Sequence, residues 1–193
     1  IFVYGLDNDG VPRVNGNHDV AGGQLKESLD KPGVANMLGE LMTKGTKNKT
    51  TAELEAAIQQ LGASISVYSS TEGFVISGNT LARNYPATMA LLTEIMLEPR
   101  WDAEELETIR RETVSNLEQS AASPNAIASS EWNKLMYGED NIRAYNELGT
   151  AASIPAITME DLKAYYNDYL SPSVTKMNVV GALDQAAVTA PLS

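Results

Sequence analysis

The sequence predicts an α+β fold in which an antiparallel-rich sheet is packed by helices. Three observations carry that prediction. Apolar residues recur with period two in some segments and with helical spacing in others. Two strand-like segments flank a short polar turn at Thr71-Glu72-Gly73. Strands and helices are segregated rather than strictly alternating, in the order β, helices, β-hairpin, helices, β, which favours a sandwich over a doubly wound sheet. The 193 residues suit one domain spanning 1–193, with a tail from Ala182 to Ser193 that reads as a trimmed boundary of a longer chain.

Ile1–Leu6 reads as a strand and Asp7–Pro12 as a turn rich in Asp, Asn and Gly. Val14–Leu25 is a second strand, with Gly22-Gly23 marking a bulge or close backbone packing. Pro32–Lys44 is a helix with proline in its first turn, an apolar stripe of Val34, Met37, Leu38, Leu41 and Met42, and Gly45 at its C-terminal end. Thr50-x-x-Glu53 is a capping box opening a second helix that runs to Leu61 and stops at Gly62. A hairpin follows, with Ile65, Val67, Phe74 and Ile76 alternating with small polar residues.

Asn84–Glu98 is an amphipathic helix with Met89, Leu92, Ile95 and Met96 on its core side, ended by Pro99. Asp102-x-x-Glu105 is a second capping box, opening a long helix to Ala122. Ser123-Pro124 starts another helix that reaches Tyr137, and Tyr137–Gly149 is an irregular loop. Thr158-x-x-Asp161 opens a helix to Tyr169, Ser171-Pro172 breaks it, and Val174–Gly181 is a closing strand.

Composition excludes several functions. A net charge of −11 disfavours nucleic acid and anionic lipid as partners, because both require basic patches. The absence of cysteine removes disulfides, thiolate metal sites and thiol nucleophiles. One histidine, His18, rules out any site that needs two imidazoles, and it reads as a surface or hydrogen-bonded side chain beside Asp19. No apolar run is long enough to span a membrane, and no signal peptide is visible at Ile1. No G-x-S-x-G elbow or phosphate loop occurs. Asn48-Lys49-Thr50 matches a glycosylation sequon, but Thr50 is already used as a cap. Glu104, Glu105, Glu107, Arg110 and Arg111 form a charged face expected to be solvated.

Lys44-Gly45-Thr46, Leu61-Gly62-Ala63, Leu97-Glu98-Pro99-Arg100-Trp101, Arg110-Arg111-Glu112, Leu148-Gly149-Thr150 and the Tyr165/Tyr169 helix with its valine-rich strand occur in a specific order. From Gly22 to Gly181 the chain thereby resembles a domain of the M16 metallopeptidases, the insulinase and mitochondrial-processing-peptidase family. The resemblance implies the M16 (LuxS/MPP-like) sandwich. It also implies a clamshell of two halves, each of two such domains, closing around a peptide. One half carries zinc on the helical motif H-x-x-E-H; the other has the fold without the motif.

Carried over by position, the first histidine ligand falls on Asn36, the general base on Gly39 and the second histidine ligand on Glu40. The distal glutamate ligand falls on Leu117, next to Asn116. Zinc hydrolysis needs three good protein ligands, an open position for water and a base. A neutral amide, a glycine, one carboxylate and a leucine do not supply them. No catalytic, cofactor or metal residue is therefore assigned here, and zinc is expected in a catalytic M16 domain of the same chain or a partner subunit.

Three roles follow from the resemblance. The first is an inactive M16 domain that pairs with a zinc-bearing half and helps enclose a peptide substrate. The second is a structural or assembly subunit like the core proteins of the bc1 complex. The third is a zinc peptidase with an atypical site around Glu40. The expected compartment is the bacterial periplasm or cell envelope.

Overall fold

The computed structural model describes residues 2–5, 12–171, 175–183 and 185–190. Among them, β1 (Phe2–Gly5), β2 (Arg13–Ala21), β3 (Ser64–Ser69), β4 (Gly73–Leu81) and β5 (Thr175–Gly181) form one sheet in the order β1-β5-β2-β4-β3. β1 runs parallel to β5, and every other neighbouring pair is antiparallel. The helices are α1 (Val34–Met42), α2 (Thr51–Gln60), α3 (Tyr85–Leu97), α4 (Ala103–Ala121), α5 (Pro124–Tyr137), α6 (Met159–Tyr169) and α7 (Gln185–Thr189).

The sheet has one buried and one open face, as its alternation requires. Val14, His18, Val20, Val67, Phe74, Ile76, Met177 and Val179 are buried beneath the helices. Arg13, Asn15, Asn17, Asp19, Ser66, Tyr68 and Lys176 are exposed. On the open face Ser66 and Ser77 share a 2.6 Å hydrogen bond across β3 and β4, and Asn178 Nδ2 donates to Asp19 Oδ2 at 3.1 Å across β5 and β2. The main core joins α1, α4 and α6 to the β4 side of the sheet through Met37, Leu38, Leu41, Phe74, Ile76, Ile109 and Leu162. A smaller cluster of Val14, Tyr85, Met89, Met177, Val179 and Val188 closes the far end.

The α+β sandwich, the hairpin, the Thr50 capping box and the helix start at Thr158 are as the sequence predicts, and Thr158 with Asp161 also closes a capping box. Several details differ. The second strand ends at Ala21 rather than Leu25, and residues Gln24–Lys26 turn into a short 3₁₀ segment. Gln24 is buried there because its Nε2 donates to Tyr145 O at 2.8 Å, tying the segment to the distant 142–144 turn. That turn lies within the stretch expected to be irregular, and it buries Ile142 and Ala144.

Pro32 lies before α1, not in it: Gly33 is the N-cap, in a left-handed conformation at φ 104°. Asp102 caps α4 by accepting from Glu104 N and Glu105 N, but the box is one-sided, because Glu105 Oε1 instead accepts Thr51 Oγ1 at 2.6 Å. Ser123 makes no side-chain cap bond, leaving Pro124 to start α5. The tail holds the short helix α7, which anchors Val188 in the smaller cluster. Of the expected first turn, residues 7–11 lie outside the described residues, as do Pro172 and Val174.

His18 is buried rather than at the surface, because it shares the inward register of β2 with Val14 and Val20. Its Nε2 has no hydrogen-bond partner among the described residues, and burial lowers its pKa against the opposing pull of Asp19. The charged face of α4 is not uniformly solvated either. Arg110 turns inward, where it donates to Ile157 O at 2.6 Å and pairs with Glu107.

Candidate functional site

The site is built on α1. Its apolar stripe places Val34, Met37, Leu38, Leu41 and Met42 in the core, which fixes the rotation of the helix. Asn36 and Glu40, at i and i+4, then share the other face, and both are half-buried. Asn36 Nδ2 donates to Glu40 Oε1 at 3.1 Å. Burial raises the Glu40 pKa, the bond from Asn36 and the charge of Lys44 lower it, and Glu112 on α4 raises it again. Glu40 therefore lies within electrostatic reach of α4, the helix onto which the distal ligand position is carried over.

Gly39 is buried against the sheet edge. A methyl group added at its Cα would lie 3.5 Å from Ser69 N and 3.7 Å from Phe74 Cε1. Gly39, onto which the base is carried over, thus abuts the C-terminal end of β3, which is the outer strand of the sheet on that side among the described residues. Leu117 is half-buried and packs on the main core, while Asn116 is exposed beside Glu112 in a shallow groove. The four carried-over positions thus lie on α1 and α4, two helices that pack against each other. Their chemistry does not fit a hydrolytic zinc: the amide of Asn36 turns an N–H toward Glu40, and neither Gly39 nor Leu117 offers a donor atom. Among the described residues no group of three or more His, Cys, Asp or Glu could hold a metal ion.

The N-terminus of α1 is held by a carboxylate that sequence reading missed. Glu27 accepts Gly33 N at 2.9 Å on Oε2 and Ala35 N at 2.7 Å on Oε1. It stands outside the usual cap position, so no capping motif announces it. Asn48, the sequon residue, donates its side-chain amide to Glu94 and Glu98.

Two clefts flank this framework. One, of about 780 Å³, lies between the hairpin turn at Thr71, one face of α5, and the Arg143–Glu147 segment. Thr71 and Glu147 are hydrogen-bonded across it. The other, of about 810 Å³, collects Lys47, Arg100 and Lys163 around Trp101. Trp101 has φ 55°, the one left-handed non-glycine among the described residues. Its ring meets Tyr166 edge-on at 5.3 Å and lies under Lys163 Nζ at 5.8 Å.

The fold and the motif frame on α1 and α4 define a peptidase-like domain. The insulinase model of peptidase family M16 matches residues 8–144, and the chain belongs to that family. The uncharacterized zinc protease YmxG of Bacillus subtilis is 20% identical over 166 residues, covering 86% of this chain and 40% of that protein. Subunit 1 of the mitochondrial cytochrome b-c1 complex of Caenorhabditis elegans is 23% identical over 159 residues, covering 82% of this chain and 34% of that protein. A peptidase M16 inactive domain from Pseudomonas fluorescens superimposes with a TM-score of 0.90 at 23% identity, over 98% of this chain and 46% of that one. The chain spans less than half the length of each of these three relatives.

Proposed function

We propose that residues 1–193 are one non-catalytic M16 domain of a longer protein, which works beside a zinc-bearing M16 half and helps enclose a peptide. The observation that carries this reading is at Gly39. The helix and sheet edge of a peptidase site are kept in contact there, while the base and the donor atoms for zinc are gone. One carboxylate, already engaged by Asn36, leaves no means of activating water. What remains is a binding scaffold. β3 is an edge strand with Tyr68 exposed, and an extended peptide could add to its free edge by main-chain hydrogen bonds. Zinc belongs to the catalytic half.

The test is reconstitution. The domain alone is expected to leave unfolded peptides intact, and addition of a zinc-bearing M16 half to give chelator-sensitive cleavage that needs this domain. Cleavage by that half at the same rate without the domain would overturn the proposal. The similarity to a cytochrome b-c1 subunit supports a second reading, an assembly role in a larger complex. It predicts stable association with subunits outside the M16 family and no contribution to cleavage.

A further inference from the structure

α5 has two unlike faces. Ala126, Ser129, Ser130, Asn133 and Tyr137 line the cleft beside the hairpin turn. Successive helical residues are about 100° apart, so Leu135 falls opposite that cleft, Trp132 about 60° round from Leu135, and Met136 continues the stripe toward the cleft rim beside Ser129. They are 62%, 82% and 58% exposed, and Ile127, on the flank, is 52% exposed. No residue of α5 is buried. The helix contacts α4 and the 142–144 turn, and nothing among the described residues covers the stripe.

A Trp-Leu-Met stripe left in water on one helix is unusual for a surface without a partner. Its composition, one tryptophan and one methionine beside a leucine, suits the centre of a protein interface. Its only charges, Glu131 and Lys134, are paired with each other at 2.8 Å, so the stripe is neutral on a chain of net charge −11. That charge disfavours a second copy as occupant, because two copies would bring together two strongly negative bodies. The structural relative from Pseudomonas fluorescens carries about as much chain again outside the matched part.

We infer that the Trp132–Leu135–Met136 stripe of α5 is the docking surface for a companion M16 domain, in the same polypeptide or a partner subunit. The inference rests on the reading of the chain as one domain of a multidomain M16 assembly. Docking on the outer side of α5 would also set the position of its inner side, which is a wall of the cleft. A helix held by no buried residue of its own gains its fixed place from the companion.

The experiment places a photo-crosslinking amino acid at position 135 of the full-length protein in its own cells and identifies the attached peptide by mass spectrometry. The expected product joins position 135 to an M16-family sequence outside residues 1–193. Attachment to another copy of residues 1–193, to an unrelated protein, to lipid, or to nothing overturns the inference. A second arm uses Leu135→Asp with Trp132→Asp in the same protein. The expected result is a loss of affinity for the M16 domain identified by the cross-link, by about 30-fold or more, with the thermal midpoint of this domain little changed. Unchanged affinity overturns the inference even if peptide cleavage still depends on this domain. Loss of affinity with no role in cleavage leaves the inference standing and removes the functional reading instead.

Discussion

Asn36 and Glu40 are partners one helical turn apart: the Asn36 amide donates to the Glu40 carboxylate at 3.1 Å. The family resemblance carries the two imidazole positions of the zinc motif onto this pair, and the base onto Gly39, a glycine packed on the end of β3.

If the carried-over positions are right, the site can be rebuilt. Asn36→His, Gly39→Glu, Glu40→His and Leu117→Glu together restore three ligands and a base. A Cβ at Gly39 meets only ordinary contacts, and the change removes a helix-interior glycine, worth about 0.5–1 kcal/mol of propensity. The four-fold variant is expected to take up one zinc per folded chain in metal analysis, and the parent chain none. A folded variant that binds no zinc would show that the motif positions are misplaced.

Glu40 also has a pH signature. Burial raises its pKa above 4.5, so the folded chain holds that proton to higher pH than the unfolded chain does. Its ionisation therefore lowers stability as pH rises through the window just above 4.5. Glu40→Gln keeps an acceptor for Asn36 and removes the charge. Urea titrations should find the variant at least as stable as the parent at pH 7, and a loss of more than about 1 kcal/mol contradicts the assignment.

His18 has the opposite sign. Its folded pKa lies below 6.5 because burial disfavours the imidazolium. The unfolded chain then takes up the proton first, so stability is full above pH 6.5 and is lost as pH falls from there toward the folded value. His18→Leu is expected to flatten that part of the stability profile in pH-dependent thermal melts. A profile unchanged by the substitution refutes the argument.

Glu27 holds the N-terminus of the site helix with two charge-assisted bonds. Glu27→Ala is expected to cost about 2 kcal/mol in chemical denaturation. Glu27→Gln, which keeps one acceptor oxygen, should cost about half as much. Hydrogen exchange at Gly33 and Ala35 should quicken in both, and equal protection in all three chains would exclude the cap.

Gly149 and Gly33 are packed against each other, joining the loop before α6 to the start of α1. A Cβ at Gly149, φ 86°, would lie 2.4 Å from Pro32 O, and one at Gly33 would lie 3.0 Å from Gly149 Cα. Gly149→Ala is expected to destabilise the fold by about 2 kcal/mol or more, with both strain and clash contributing. A loss below about 0.5 kcal/mol would mean that the two segments separate freely.

Much of this was legible in local sequence. Thr50-x-x-Glu53, Thr158-x-x-Asp161, the apolar stripe of α1 and the alternation around Thr71-Glu72-Gly73 fix elements through forces that act within a few residues. The proposed carry-over of the zinc positions onto Asn36, Gly39, Glu40 and Leu117 is also a matter of residue type, because residue type decides what can bind zinc.

Other features depend on residues far apart in the chain. The inward turn of Arg110 depends on the carbonyl of Ile157, the burial of Gln24 on the carbonyls of Ile142 and Tyr145, and the pairing of Gly33 with Gly149 on a long-range approach of two loops. Which side of α5 meets a cleft and which side is left bare is of the same kind. The sequence by itself determined most of the elements and the α+β class, since these follow from short-range periodicity and side-chain chemistry. Only the tertiary structure decided that Gly39 lies against the outer strand of the sheet and that Trp132, Leu135 and Met136 are uncovered among the described residues, because exposure is set by what the rest of the chain packs on and not by the residue itself.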